Sequence, residues 1–221
     1  MIVVVGSAHD RVAASLVKAW PSAGLLSAED LTSPGWVWGS DDDARQWIVN
    51  GRTVNDTQIT GVFVRRSTVY PEELLSTHPQ DRSYLASEIQ AFLVAVLAST
   101  KALVVNPVRN GSLGEETLRP EIWGRFAVNA GLALRPFKLS SKPGKERPLK
   151  LKSVDVVGDQ ALGDLPEQYR TRSKTLVQQL GLHWARCVFD GNYRLLTVTT
   201  ATEPGDHSLD ALGKLLSGNV S

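Results

Sequence analysis

Ile2-Val3-Val4-Val5 closes on Gly6, and Val12, Leu16 and Trp20 then recur at helical spacing up to a stop at Pro21. A β-branched run, a glycine break and an amphipathic helix make a strand–turn–helix unit. The same alternation continues outward. Gly24-Leu25-Leu26 reads as a second strand and Trp36-Val37-Trp38 as a third. Gln46 to Val54 places Asn50-Gly51 between two alternating runs, the pair that a two-residue hairpin turn favours because both central residues need positive φ. Ile59 to Val64 is a buried strand that delivers Arg65 and Arg66 to its carboxyl end. From Asp81, as cap, a long helix carries Leu85, Ile89, Phe92, Leu93, Val96 and Leu97; its second half is apolar nearly all round and is expected to be buried. Leu103-Val104-Val105 is a further strand, and Arg119-Pro120-Glu121-Ile122-Trp123 opens a helix that Gly131 ends. Strands alternating with helices predict an α/β fold with a mainly parallel open sheet up to about residue 135.

Between Ser140 and Lys152 the character changes, with five basic residues, two prolines and one glycine among thirteen. This stretch predicts a division into a domain at 1–139, a linker at 140–152 and a smaller α+β half at 153–221. In that half, Ser153 to Val157 is a strand, Asp164 to Leu180 a helix entered near Pro166, and Trp184 to Phe189 a strand. Tyr193 to Thr200 pairs with the last of these through Asp190-Gly191-Asn192, and Leu209 to Leu216 closes the chain as a helix.

With 221 residues and 42% hydrophobic content, the chain can bury a core of its own. Its 24 basic and 23 acidic side chains leave a net charge of +1, so no electrostatic footprint marks a nucleic acid or an anionic membrane as partner. One cysteine, Cys187, excludes an internal disulfide and a multi-cysteine zinc site, which fits a reducing cytoplasm. Met1 to Val5 is too short and lacks the basic flank of a signal peptide, and no apolar run reaches the length of a membrane span.

Several residue groups invite a chemical role. Leu195 to Thr202 alternates as a strand and breaks at Pro204-Gly205, so Thr197 and Thr199 project from one face. Arg65 and Arg66 stand where open α/β sheets bind ligands, although Glu72, Glu73 and Asp81 are carboxylates within reach for pairing. Gly6-Ser7-Ala8-His9-Asp10 has one glycine only, and Asp10 would repel a phosphate, so it reads as a plain strand-to-helix turn. Lys142, Lys145, Arg147, Lys150 and Lys152 read as a solvated linker rather than a phosphate loop. His9, His78, His183 and His207 show no metal-ligand spacing. Cys187, between Trp184 and Phe189, is expected to be buried and unreactive. Trp36, Trp38 and Trp47 are expected to pack across neighbouring strands rather than to form a recognition surface.

Taken in order, Gly61-Val62-Phe63-Val64-Arg65-Arg66, Asp81-Arg82-Ser83-Tyr84 with Glu88 and Ala91-Phe92-Leu93, Val105-Asn106-Pro107 and Arg119-Pro120-Glu121-Ile122-Trp123 resemble the pre-ATP-grasp domain of ATP-grasp proteins, of the RimK-like and peptide-maturase type. Val154-Asp155-Val156-Val157-Gly158-Asp159 resembles the family's "VVGD" strand, and Leu196 to Gly205 its metal-binding "MEVNASPG" segment. The resemblance implies a pre-ATP-grasp-like sheet followed by a truncated ATP-grasp half. Two departures stand out. Family ligases insert a small nucleotide-clamping lobe where this chain has only Phe137 to Lys152, and sixteen residues cannot build one. The family's Glu and Asn metal ligands fall at Thr197 and Thr199, neutral hydroxyls that are poor ligands for Mg²⁺. Phosphoryl transfer depends on positioning and on neutralising developing charge, and these losses remove both.

The resemblance with these departures implies a catalytically degenerate binding subunit, without cofactor, metal or catalytic residue. It would hold a peptide or partner enzyme, or a second copy of itself, in a bacterial peptide-modification or natural-product pathway. The candidate binding residues are Arg65, Arg66, Arg119, Thr197, Thr199 and Glu203. Two alternatives stay open. One is an active ATP-dependent carboxylate–amine ligase with a minimal nucleotide lobe, using ATP and Mg²⁺ with Lys150 or Lys152 and Glu203. The other is a small-molecule binder that uses an Arg65/Arg66 cleft.

Overall fold

The computed structural model describes residues 1–39, 44–108, 113, 118–136 and 150–218. The chain forms two compact units, Met1–Glu116 with Leu212–Ser221, and Thr117–Ala211. No helix among the described residues is long and apolar enough to cross a membrane.

The first unit is built from β1 (Ile2–Val5), α1 (Arg11–Ala19), β2 (Ala23–Leu26), α2 (Ala28–Thr32), β3 (Gln46–Val49), β4 (Arg52–Asn55), β5 (Gly61–Val64), α3 (Arg82–Ser99) and β6 (Leu103–Val105). Four strands form an all-parallel sheet in the order β2-β1-β5-β6. Continuous apolar runs explain this, because a parallel sheet covered on both faces buries every side chain of its strands. All four residues of β1 and of β5 are indeed buried. Val3, Val5, Val62 and Val64 join Ile89, Leu93, Val96 and Leu97 of α3 in one core. From the other face, Phe63 meets Trp20 edge-on with ring centroids 5.6 Å apart.

The hairpin β3–β4 turns at Asn50 and Gly51, whose φ values of 51° and 68° are the left-handed pair that the Asn-Gly signal predicts. The strand expected at Trp36-Val37-Trp38 does not form; only a single bridge, Val37 to Gln46, joins it to β3. Side-chain packing takes the place of a ladder there. Trp36 and Trp38 each stand 5.7 Å from Trp47, and Trp36 also meets Phe92 at 5.2 Å. Trp47 is fully buried and donates its Nε1–H to Asp56 Oδ1 at 2.8 Å. Asp81 precedes α3 without a side-chain capping bond, and Ala91, Ala95 and Ala98 stay exposed, so that helix buries one face rather than its whole circumference.

The second unit contains α4 (Pro120–Asn129), β7 (Lys152–Val157), β8 (Gln160–Leu162), α5 (Glu167–Gln179), β9 (Trp184–Phe189), β10 (Leu195–Thr199) and the start of α6 (Asp206–Leu216). Its sheet is antiparallel, in the order β10-β9-β7-β8. One face packs Val154, Val156, Ala185, Cys187, Phe189, Leu195 and Val198 against Trp123 and Ala127 of α4 and Leu176 and Val177 of α5. The division between the units therefore precedes α4, between Glu116 and Thr117, because the apolar stripe of that helix belongs to the second core. It does not coincide with the basic stretch at 140–152, of which 140–149 lie outside the described residues.

Candidate functional site

The polar face of the second sheet is set by a bulge. Leu195 pairs with Phe189 and Thr197 with Val188, leaving Leu196 as the extra residue in β10. Leu195 and Val198 therefore both point into the core although they are three apart, and Thr197 and Thr199 share the opposite face. Register then aligns one rung across three strands, with Thr199 opposite Arg186 and Arg186 opposite Asp155.

Arg186 and Asp155 form a two-point ion pair, Nε to Oδ1 at 2.6 Å and Nη2 to Oδ2 at 2.7 Å. Ser208 of α6 donates its hydroxyl to Asp155 Oδ2 at 2.6 Å. The hydrogen bond to Asp155 raises the guanidinium's pKa against the opposing effect of burial. Gly205 lies over the pair, where a Cβ would stand 3.9 Å from both Arg186 Nη2 and Asp155 Oδ2. The Thr199 hydroxyl accepts from the Ala201 N–H at 3.2 Å.

A hard cation such as Mg²⁺ needs several oxygen ligands with negative charge among them. This rung offers one carboxylate, and Arg186 and Ser208 already occupy both of its oxygens. The positive charge beside it belongs to the chain itself. The residues present do not fit a magnesium ion, and Thr197 and Thr199 add only neutral oxygens. Among the described residues, no three His, Cys, Asp or Glu side chains converge where a metal ion could sit. Lys152 is engaged elsewhere, donating to the Tyr193 hydroxyl at 2.8 Å and lying 4.0 Å from the centre of its ring. Glu203 is exposed, and Arg119 is exposed at the start of α4 with no capping bond. Cys187 is fully buried, and burial pushes its thiol up to about 12.

Asp155, Arg186 and Ser208 escaped sequence reasoning. A signal was present: Asp155 stands between Val154 and Val156 and Arg186 between Ala185 and Cys187, charges inside apolar runs that burial tolerates only when they are paired.

In the first unit the two arginines leave β5 in different company. The Arg65 N–H continues the ladder to Val5 O at 2.8 Å, and its Nε meets Asp10 Oδ2 at 3.2 Å. Asp10 also caps α1, accepting from the Val12 N–H at 2.8 Å, so the loop after β1 is a capped turn. Arg66 places Nη2 2.7 Å from both carboxylate oxygens of Glu73, which further accepts from the Tyr70 N–H. Its side chain is 3% exposed, and Nε and Nη1 are buried without a hydrogen-bond partner. Burial lowers the pKa of this guanidinium, and Glu73 opposes that shift.

No protein-family model matches the sequence, and no curated protein matches it. Solved structures do. The macrocyclase MdnC from Microcystis aeruginosa MRC, bound with precursor peptide MdnA, has a TM-score of 0.71 at 13% identity over 100% of both chains. Macrocyclase MdnB from the same organism gives 0.69 at 16% identity, over 97% of this chain and 98% of its own. A RiPP-associated ATP-grasp ligase of Chryseobacterium gregarium, in complex with ADP and a leader and core peptide, gives 0.67 at 9% identity, over 100% of this chain and 97% of its own. Likeness at such low identity is a statement about architecture. The parallel sheet of the first unit and the antiparallel sheet of the second thus give this chain the fold of the RiPP-associated ATP-grasp ligases.

Proposed function

We propose that this chain is a non-catalytic, ATP-grasp-like subunit that holds a peptide or a partner enzyme in a peptide-modification pathway of the bacterial cytoplasm. One observation carries the reading: on the rung where the resemblance puts the second metal ligand, Thr199 faces Arg186, and Arg186 is locked to Asp155. A fixed guanidinium repels Mg²⁺, so the electrostatic part of phosphoryl transfer is missing. A peptide as the cargo is supported by the fold, since MdnC and the Chryseobacterium gregarium ligase were each solved with a peptide bound. Under this reading the polar face of Thr197 and Thr199 takes the partner, with Arg119 and Glu203 as exposed charges of the same unit.

Titration calorimetry tests the first half. Mg·ATP should bind no tighter than about millimolar, near −4 kcal/mol. Micromolar, magnesium-dependent binding would overturn the non-catalytic assignment. Capture of partners from the native host tests the second half: Thr199→Arg, which puts a second cation opposite Arg186, should weaken the association found with wild type. A chain that captures neither peptide nor enzyme would overturn the holding role.

A further inference from the structure

In the first unit, residues of the hairpin β3–β4 and of the edge strand β2 line a cleft of about 620 Å³. Two of its walls are strand edges with unused backbone groups. In a two-residue hairpin the closing pair, here Val49 and Arg52, exchanges both hydrogen bonds, and the next pair, Ile48 and Thr53, turns its N–H and C=O groups outward. The neighbours agree. Gln46, two residues from Ile48, bonds outward to Val37 through both groups, and Asn55, two residues from Thr53, donates its N–H to Gln58 Oε1 at 3.0 Å. Thr53 lines the cleft, is exposed, and has no such partner among the described residues. On β2, Leu25 spends both edge groups on Asn50, its N–H donating to Oδ1 at 3.1 Å and its carbonyl accepting the Asn50 N–H at 3.2 Å. Ala23, two residues earlier, faces the same way; its N–H goes to the Trp20 carbonyl, and its own carbonyl is left on the cleft side. The floor is apolar. Val49, Arg52 and Val54 share one face of the hairpin, and at Gly24 a Cβ would stand 2.6 Å from both Met1 Cε and Val49 Cγ1, so glycine lets these two side chains close the floor. No Asp or Glu lines the cleft, and among the described residues no carboxylate pairs with Arg52.

We propose that this cleft takes an extended acidic peptide segment, added as an antiparallel strand along the free edge of β4. The edge offers a donor and an acceptor on the same residue, which another backbone satisfies and a free anion does not. In an antiparallel strand the residue directly opposite Thr53 takes both groups at once, and its two neighbours stand opposite Arg52 and Val54. Side chains alternate along a strand, so these two neighbours lie on the face of Val49, Arg52 and Val54. Charge and polarity then set the sequence: an apolar residue opposite Val54 and, two positions later, a carboxylate opposite Arg52. The cleft volume lies inside the range of about 300–1,000 Å³ that ligand sites occupy.

The probe is the peptide acetyl-Thr-Val-Thr-Glu-Thr-amide, titrated into the full chain and followed by NMR at the Thr53 backbone N–H. It should move that resonance saturably. Replacing its Glu by Gln should raise the Kd about fivefold, the worth of an exposed ion pair, and the difference should shrink in about 0.5 M NaCl. Methylating the backbone nitrogen of its central Thr should raise the Kd about tenfold or more. Arg52→Gln, a change at an exposed side chain, should bind the Glu and Gln peptides alike. An unmoved Thr53 resonance, equal Kd values for the two peptides at low salt, or full binding of the methylated peptide would each overturn the site. So would N-acetyl-glutamate amide binding as tightly as the peptide, which would mark a pocket for small acids. A Thr53 shift that follows protein concentration without peptide would put a second copy of the chain on this edge and overturn it as well. The site stands on the hairpin and β2 alone and not on the Thr197 and Thr199 face, so its failure leaves the proposed function standing.

Discussion

Replacing Asp155 by alanine tests the rung on which the functional proposal depends. The pair it breaks is half enclosed: the Arg186 side chain is 22% exposed and that of Asp155 9%. Breaking a fully buried pair by removing one partner costs about 3–5 kcal/mol, and an exposed pair is worth at most about 1 kcal/mol. The geometry is two-point with Ser208 as a third contact, but solvent screens part of it, so we expect Asp155→Ala to cost about 2–3 kcal/mol. Arg186→Met should cost less, because Asp155 keeps the Ser208 hydroxyl. The double variant Asp155→Leu with Arg186→Met should return to within about 1 kcal/mol of wild type, since a well-packed apolar pair replaces an ion pair with little loss. Urea unfolding of wild type, Asp155→Leu, Arg186→Met and the double variant gives the coupling energy as a double-mutant cycle. Strictly additive effects, or an Asp155→Ala cost below about 0.5 kcal/mol, would mean that Asp155 is not held by Arg186. The carboxylate would then be available to a metal, and the argument against one would fail.

Three further outcomes follow from single residues. Cys187, held up to about 12 by burial, should stay unmodified by iodoacetamide at pH 8 in the native protein and react once urea unfolds it; rapid native labelling would contradict its placement in the core. Burial alone would raise the Asp190 pKa, but the Arg194 and Asn192 N–H groups and the Arg194 guanidinium outweigh it and hold the carboxyl below its ordinary 3.8. The unfolded chain therefore takes up this proton first, so stability falls as pH drops below 3.8 toward the folded value; Asp190→Asn should flatten that part of the acid unfolding curve, and an unchanged slope would refute it. At Gly61 a Cβ would stand 2.5 Å from the backbone oxygen of Leu216, so Gly61→Ala should cost about 1–3 kcal/mol. Gly39→Ala, with nothing within 4 Å, is the control and should be near neutral in thermal unfolding.

The parts of this molecule that were legible in its sequence are those with a local cause. The Asn50-Gly51 turn, the proline at the start of α4 and the left-handed Gly131 each follow from backbone preferences of one or two residues. The strands β1, β2, β5 and β6 followed from β-branched and leucine-rich apolar runs, and their parallel pairing from the intervening helices. What escaped depended on register. Trp36 to Trp38 has strand composition, but its indoles gain more by closing over Trp47 than its backbone would gain from a longer ladder. The Leu196 bulge has no sequence mark, and the Asp155–Arg186 pair spans 31 positions that only strand alignment brings together. Arg65 and Arg66 were visible as a pair at a strand end. Their separate partners, Asp10 and Glu73, were decided by opposite faces of that strand.

The Arg186 guanidinium also bears on whether a metal site could be regained by small steps. Thr199→Asn would face Arg186 directly, and Thr197→Glu, one rung away across β9, would come within reach of the same long side chain. Each single reversion would thus meet an arginine before it met a cation, and the glutamate would be neutralised as a salt bridge. Only loss of Arg186 in the same step would let the oxygens act together, and that loss alone leaves the buried Asp155 carboxylate without its counter-charge. The path back passes through a destabilised intermediate. The rung works as a ratchet, in which one well-seated side chain makes the exchange of a metal for an internal cation hard to undo.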